Sequence, residues 1–584
     1  MILVFGGTTE GRKAVEVLEE AGTTYYYSTK TGEQDIVQHH GIRLDGALDG
    51  EAMLQFCREH DIRLIVDAAH PFASQLHQTI GDVAERQDIP VVRYERIYPP
   101  RDPDFTWLDD YSQVPHDIRS LLATTGVQSI AKLKPLEAEG IKVFYRILPR
   151  ESSIELAKRQ GATDGQLCYY QDGETIDVDA EAILLKESGL SGGFLKKVEA
   201  ARRRGMQVFV LKRPEITQGG RLFTCNGPHG LRRMVERLLP TFFPLHSGLT
   251  TGTCATAAAI AATLRLVKNE TPAEVPVMLP NGETIAVPVS YGDGYAAVVK
   301  DAGDDPDVTN GLEIRAACQI RSGHEDAGIA IVGGEGVGHF TLPGFDYPPG
   351  EPAINKGPRQ MMEHNLSLIT SHSLQVTISV PQGAEIARRT FNPRLGIQGG
   401  ISIIGVSGIV QPFSEEAFVS SIHKCLQVAK ASGASPIVVH SGAKSARYLK
   451  VRYPDLPFQA FVEYGNFIGK TLQMAHELGI PQITLGIMLG KAVKLAEGQL
   501  DTHSKKGTMN LAFIQQLLDE ANAGCSILHA QLTLARELWE MIPADKLPAF
   551  AKTVIAHCHT HCQPLLPNGE LTILLIDDNG KIYS

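Results

Sequence analysis

Short apolar runs alternate with helical patterns from the first residues of this chain, and that rhythm restricts its fold more than any other feature. Residues 2–5 (ILVF) lead into Gly6-Gly7-Thr8-Thr9-Glu10-Gly11 and then the helical pattern RKAVEVLEEAG. A strand at 24–28, a helix near EAMLQFCREH and strands at 64–66, 90–95, 142–145, 182–185 and 207–211 continue the series. Such alternation predicts an α/β half with parallel sheets covered by helices, Rossmann-like and in two lobes, the second starting near residue 115. One continuous domain is the alternative.

The rhythm stops at 239–248 (LPTFFPLHSG), where two prolines and a glycine follow LRRMVERLL. A boundary there divides the chain into domains 1–244 and 245–584. Beyond it, apolar runs at 275–280 and 284–290 flank Pro280-Asn281-Gly282, a hairpin signal. Helix–strand alternation resumes near 416, so the second half reads as an α+β lobe followed by an α/β lobe. At 584 residues the chain exceeds what one hydrophobic core covers, which agrees with several domains.

The net charge of −11 disfavours a general nucleic-acid binder but allows a basic pocket for a small anion. No apolar run is long enough for a bilayer span, and the opening residues read as a buried strand rather than a leader. A cytoplasmic protein without membrane association is expected, its nine cysteines remaining thiols. A homo-oligomer is admitted but not required.

The turn Gly6-Gly7-Thr8-Thr9-Glu10 joins a strand to a helix. Glycines permit close approach of a ligand, and the helix start offers N–H groups to a phosphate. The spacing is not G-x-G-x-x-G, so a capped tight turn is the alternative. Ser28-Thr29-Lys30-Thr31 ends the next strand; hydroxyls and a lysine there suit a 2′-phosphate, favouring NADPH over NADH. Asp67 and His70, in DAAHPFA, stand at a strand's carboxyl end and are candidates for orienting a substrate or transferring a proton; helix capping is the alternative.

In this order, GGTTEGR, DAAHPFA, Arg93-Tyr94-Glu95-Arg96, Arg146-Ile147-Leu148-Pro149, Lys186-Glu187-Ser188-Gly189 and VFVLKRP resemble the precorrin-6A reductase family (CbiJ/CobK type) over about residues 1–240. The resemblance implies hydride transfer from NADPH or NADH to an anionic, cobalt-containing tetrapyrrole. Glu187 stands where many relatives carry Asp or Asn. Carboxylates on such a substrate call for basic partners, and Lys186, Ser188, Lys196 and Arg213 are the candidate substrate contacts. Arg202-Arg203-Arg204 reads as a solvated helix end.

In the second half, Thr251-Gly252-Thr253-Cys254 opens an alanine-rich helix, with Thr253 as the expected N-cap. VKDAGDDPDVT follows, with four carboxylates but no EF-hand order. Gly333-Gly334-Glu335-Gly336-Val337-Gly338 is a glycine-rich turn that could admit a cofactor near backbone or simply bend tightly. These strings, with Glu351, Ala353-Ile354-Asn355, Pro358-Arg359, TFNPRLGIQGGISIIG, Tyr464-Gly465-Asn466-Phe467-Ile468-Gly469 and the stretch 491–503, resemble the CbiD family of cobalt-precorrin-5B C1-methyltransferases over about 246–510. The resemblance implies S-adenosyl-L-methionine as methyl donor. Thr251, Gly252, Thr253, Gly334 and Gly336 are the candidate cofactor contacts, Arg359 and Arg394 the candidate carboxylate contacts, and Asp304, Glu335 and His503 the candidate acids or bases. A histidine expected near Gly486-Ile487-Met488-Leu489-Gly490-Lys491 is missing. The string His557-Cys558-His559-Thr560-His561-Cys562 is too compact for one tetrahedral ion, so no metal site is assigned.

The two resemblances describe consecutive steps, C1 methylation of cobalt-precorrin-5B and reduction of cobalt-precorrin-6A to cobalt-precorrin-6B. A bifunctional enzyme of corrin-ring (cobalamin) biosynthesis is expected, with the intermediate passed on without release as a further expectation. The alternatives are that one half is active with the other as scaffold or tetrapyrrole-binding module, or that both bind without turnover.

Overall fold

The computed structural model describes residues 1–584 except 31–33, 35, 171–175, 177, 216–220, 322–327, 504–509 and 528–534; Thr31 lies outside the described residues. The chain forms two compact units, Met1–Ser247 with Met278–Ala286, and Gly248–Val277 with Val287–Ser584.

The first unit contains two parallel sheets of six strands each. Across the first sheet run Gly41–Asp45, Tyr25–Thr29, Ile2–Phe5, Leu64–Asp67, Val91–Tyr94 and Leu222–Cys225. In chain order within the sheet this is 3-2-1-4-5-6, with the reversal between Ile2–Phe5 and Leu64–Asp67. The second sheet runs Leu167–Tyr169, Lys142–Ile147, Ser120–Ala123, Ala182–Lys186, Gln207–Leu211, Thr106–Leu108. Both sheets have helices on their faces, so central strands such as Ile2–Phe5 and Leu64–Asp67 are buried along their whole length and read as unbroken apolar runs.

The second lobe begins earlier than residue 115, because Thr106–Leu108 pairs with Gln207–Leu211. The chain then returns, and Leu222–Cys225 completes the first sheet beside Val91–Tyr94. Both short strands sit at sheet edges, where half of the strand is solvated and the apolar signal is weak. Met278–Ala286 belongs to the first unit because the buried Glu283 accepts from Gly230 N at 3.0 Å and Thr284 N donates to Asn226 Oδ1 at 2.7 Å. These bonds hold the start of helix Pro228–Leu238.

The second unit opens with helix Thr251–Lys268, buried on all sides from Thr251 to Thr263. Its alanines favour helix and allow neighbours close to its axis. The helix lies against a five-stranded mixed sheet of Ser290–Tyr291, Ala296–Val299, Glu313–Ile320, Leu374–Ser379 and Ile329–Gly333. A second, α/β lobe has the parallel strands Phe461–Glu463, Ile437–His440, Gln482–Met488 and Glu570–Ile576, with Ile582–Tyr583 antiparallel at one edge. Its order is 2-1-3-4-5, with a reversal between Ile437–His440 and Gln482–Met488. No described helix is long and apolar enough to cross a membrane.

Candidate functional site

In the first unit, the turn after Ile2–Phe5 is built so that only glycine fits. A Cβ on Gly6 would lie 2.1 Å from Tyr27 Oη, one on Gly11 would lie 2.7 Å from the same oxygen, and Gly7 has φ +84°. Thr8 caps helix Thr9–Glu19 by accepting from Gly11 N at 3.0 Å and donates to Ala68 O at 2.6 Å. Gly7 N donates to Tyr27 Oη and Gln34 Oε1, at 3.0 and 3.1 Å. Ser28 and Thr29 are buried at the end of the neighbouring strand, while Lys30 is exposed. These groups and Thr9 therefore gather at the carboxyl end of the sheet, beside its point of reversal.

Glu10 has partners across the unit. Arg96 Nε donates to its Oε2 at 3.0 Å, and Ser191 Oγ bonds its Oε1. Arg96 also donates to Ser188 O at 2.7 Å. The Lys186-Glu187-Ser188-Gly189 loop bends under Arg96: Gly189 has φ +69°, and its added Cβ would lie 2.8 Å from Arg96 Cβ. These bonds make the carboxyl ends of the two sheets face each other.

Between them stand His70 and Lys186. Burial, then the charges of Arg96 and Lys186, push His70 down to about 3, so its ring is neutral near pH 7. Phe72 N donates to His70 Nδ1 at 3.2 Å, which leaves the proton of the neutral ring on Nε2. Burial lowers Lys186 to about 8, with Lys132 adding repulsion. Its Nζ lies 4.9 Å from the Phe72 ring centroid, and no carboxylate of a described residue pairs with it. Asp67, by contrast, is enclosed: His77 Nδ1 lies 2.6 Å away, Arg93 Nη1 2.9 Å and Ala69 N 3.1 Å. Burial opposes its charge, but His77 and Arg93 hold its carboxyl below the usual range.

Among the other candidate basic contacts, Arg213 donates to Glu187 at 2.8 Å and stacks 3.8 Å from the Tyr98 centroid. Arg101 completes the clasp on Glu187 at 3.0 Å, which gives the glutamate at this position a structural occupation. Ser188 Oγ donates to Gly192 O at 3.3 Å, and Lys196 is exposed on helix Phe194–Arg203. Arg202 is not simply solvated; it pairs with Asp102 at 2.6 Å.

In the second unit the N-cap of the alanine-rich helix is Thr250 rather than Thr253, since Thr253 N donates to Thr250 Oγ1. Thr253 Oγ1 instead donates to Gly408 O at 2.6 Å. Thr251 Oγ1 accepts from Ile404 N at 2.8 Å, and Gly252 N donates to Ile404 O at 2.9 Å. Gly334 N donates to Ile378 O at 2.7 Å, and a Cβ on Gly336 would lie 1.8 Å from Val380 O. These glycines let backbone cross backbone. Arg359 donates to Ile354 O at 2.9 Å and Glu351 at 3.1 Å while stacking on Tyr347. Asp304 and Glu335 are exposed, and His503 is half-buried. In the acidic loop, Asp307 pairs at 2.8 Å with Lys300, which is 2% exposed.

Three separated strings meet at the carboxyl end of the C-terminal parallel sheet. Arg394 donates to Glu463 Oε2 at 3.1 Å. Glu463 ends strand Phe461–Glu463, next to His440 at the end of Ile437–His440. Lys491 Nζ bonds Gly465 O, and Thr502 N donates to Asn466 O at 3.1 Å. Burial lowers Lys491 and pushes His440 down to about 4, Glu463 opposing in both cases. His440 is 3% exposed, and its Nδ1 has no hydrogen-bond partner among the described residues. No motif pointed to His440; its only signal was a polar residue closing the apolar run PIVVH before Ser441-Gly442.

The compact His/Cys string occupies the last turns of helix Leu547–Cys562. Cys558 and Cys562 face the core, and His557 bonds Glu520 at 2.7 Å. Among the described residues no cluster of three His, Cys, Asp or Glu side chains is arranged to hold a metal ion.

Against known proteins, a family model described as Precorrin-6x reductase CbiJ/CobK matches residues 1–227, the CbiD model matches 241–412, and the model of the CbiD C-terminal domain matches 501–584. The cobalt-precorrin-5B C(1)-methyltransferase of Prosthecochloris aestuarii is 41% identical over 345 residues, 57% of this chain and 94% of that protein. Among solved structures, the cobalamin biosynthesis protein cbiD of Archaeoglobus fulgidus is 31% identical, covering 45% of this chain and 83% of its own, with a TM-score of 0.26. A CobK precorrin-6A reductase is 18% identical, covering 41% and 96%, with a TM-score of 0.33.

Proposed function

The chain belongs to the cobalt-precorrin-5B C(1)-methyltransferase family and carries a precorrin-6x reductase domain ahead of that part, and from this we propose that one polypeptide performs both reactions. The second half methylates C1 of cobalt-precorrin-5B with S-adenosylmethionine, and the first half reduces the resulting cobalt-precorrin-6A to cobalt-precorrin-6B with NADPH or NADH. The observation that carries this is coverage: the chain covers 94% of a methyltransferase relative, and the CbiD matches at 241–412 and 501–584 follow a reductase match that ends at residue 227. We take the working domains as 1–244 and 245–584.

A nicotinamide dinucleotide fits the first unit. Its sheet reverses beside a glycine turn that opens a helix, the arrangement suited to a pyrophosphate, and Ser28, Thr29 and Lys30 end the strand that would meet the ribose. When bound, the nicotinamide supplies the hydride. Lys186 meets a substrate carboxylate, and the Nε2–H of neutral His70 donates to the macrocycle without adding charge. Arg96 and Glu10 hold the two lobes that carry these groups. Asp67 acts through the orientation of His77 and Arg93.

In the second unit the methyl donor supplies an electrophilic carbon when bound. The residues at the end of the C-terminal sheet need only hold the donor and exclude water, because alignment provides much of the rate in such a displacement. Arg394 is the half-exposed cation of this site and is suited to a substrate carboxylate. Asp304, Glu335 and His503 remain candidates for proton handling on the substrate.

The test is mass analysis of products from the purified chain and cobalt-precorrin-5B, adding each cofactor in turn. A gain of one methyl with S-adenosylmethionine, then of two hydrogens with NADPH, is expected. Methyl gain without reduction, or the reverse, would reduce the proposal to one active half.

A further inference from the structure

The C-terminal lobe carries a second strand–glycine turn–helix unit that no sequence motif singled out. Strand Ile437–His440 runs through Ser441-Gly442 into helix Ala443–Arg452, which has ten residues. The strand sits where the sheet order reverses, with Phe461–Glu463 on one side and Gln482–Met488 on the other, all parallel. In open parallel sheets a crevice forms at the carboxyl ends of strands at such a reversal, and ligands bind there. Glu463 closes the adjacent strand about 20 residues after Gly442, the separation at which an acidic residue bonds a ribose in nucleotide-binding sheets.

The side chains agree with that placement. Among the described residues a Cβ on Gly442 would meet one group within 4 Å, Glu463 Oε1 at 3.9 Å, so no described side chain but that carboxylate stands over the turn. Arg394 occupies Oε2 of Glu463, while Oε1 accepts no bond from a described residue. His440 is the register partner of Glu463 on the neighbouring parallel strand, so the two side chains leave the same face of the sheet. His440 is 3% exposed, its Nδ1 has no hydrogen-bond partner among the described residues, and an unpaired buried polar atom carries a desolvation cost that a ligand group would relieve.

We propose that Gly442, Glu463 and His440 form the nucleoside subsite of the methyl donor, Glu463 Oε1 accepting from a ribose hydroxyl and His440 Nδ1 completing the polar contact. The proposal rests on the methyl-transfer reading above and says where the adenosyl group is held. Gly442 lets the ribose approach the backbone. Arg394 orients the carboxylate from the substrate side, so donor and acceptor share one ion pair.

Calorimetric titration of the full chain with S-adenosylhomocysteine, and with its 2′-deoxyribose analogue, tests it. Wild-type protein should bind the deoxy analogue about tenfold more weakly. Glu463→Ala should lose affinity for S-adenosylhomocysteine about ten- to hundredfold and bind both compounds equally. Glu463→Gln keeps the side-chain shape and should show an intermediate loss, and His440→Ala a loss of about tenfold. The comparison of two ligands on one variant is internal, so a change in stability does not mimic it. NADPH affinity should not change in any variant. Undiminished affinity with the deoxy penalty retained in Glu463→Ala would overturn the subsite and leave the donor reading standing. Weakening of NADPH instead would assign the ribose to the other cofactor and overturn it. No binding of S-adenosylhomocysteine to wild-type protein would remove the donor reading and the subsite together.

Discussion

Replacing Lys186 with methionine should make the reductase unit more stable and a poorer catalyst at the same time. The lysine lies between the carboxyl ends of two sheets, beside His70 and over Phe72, without a carboxylate partner among the described residues. Burial lowers its pKa from 10.5 to about 8, which at about 1.4 kcal/mol per unit is a folding cost of at most about 3.5 kcal/mol. The sign follows from the lowered value. The cost is present in full below about 8, shrinks as pH rises towards 10.5, and is absent above that. Lys186→Met should therefore unfold later than wild type near neutral pH, and the gap should close in alkali. Catalysis should move the other way. A lost charge-assisted bond to a substrate carboxylate is worth about 1.5–3 kcal/mol, about a ten- to hundredfold fall in kcat/KM. Wild-type kcat/KM for cobalt-precorrin-6A with NADPH should decline as pH rises through about 8, as the ammonium loses its proton. Lys186→Met should show no such inflection, and Lys186→Arg, charged throughout, should lose the inflection while keeping more activity. Wild-type kcat/KM in Lys186→Met, or an inflection that persists there, would refute the assignment. A destabilised Lys186→Met would refute the burial cost.

Three further outcomes follow from buried charges and thiols. Glu10→Ala leaves Arg96 buried with its carboxylate gone and should cost about 3–5 kcal/mol, read as a lower thermal midpoint, with reductase activity falling as the lobes lose their clasp. Lys300→Ala should destabilise by less, about 1.5–3 kcal/mol, because Asp307 loses its charged partner but is part-exposed and keeps two bonds from Thr309. Burial opposes the Asp307 charge, but Lys300 and the Thr309 hydrogen bonds together outweigh it and hold the carboxyl below 3.8; in wild type their contribution is therefore present above that pH and is lost as pH falls below it, which acid titration of unfolding would record. Burial pushes the Cys562 thiol up to about 12 and raises Cys558 as well, so neither should react with a disulfide reagent at neutral pH until the protein unfolds.

The helices and central strands were legible in the sequence because their signal is local. Ile2–Phe5 and Leu64–Asp67 are buried on both faces and therefore apolar throughout, and the glycines after Phe5 announce a turn that Tyr27 then makes obligatory. Edge strands such as Thr106–Leu108 and Leu222–Cys225 were not, since their membership depends on partners about 100 and 130 residues away. The candidate site residues divide in the same way. Lys186 and His70 could be suspected from motif position, and the structure adds that they share one buried place. Thr251, Gly252, Gly334 and Gly336 look like ligand contacts as strings, yet their neighbours in space are other segments of backbone.

The alternation of elements, the break near 244 and the two family resemblances belong to the sequence alone, since each depends only on which residue types follow one another. Tertiary structure decided which charges are already spent and which are not. Glu10, Asp67, Arg213 and Arg359 carry suggestive chemistry in a string but have protein partners, whereas His440, unremarked among apolar neighbours, has a ring nitrogen without a partner among the described residues. The physical reason is that a hydrogen bond or ion pair is a relation between residues distant in the chain, and only the folded packing says who is close enough to satisfy whom.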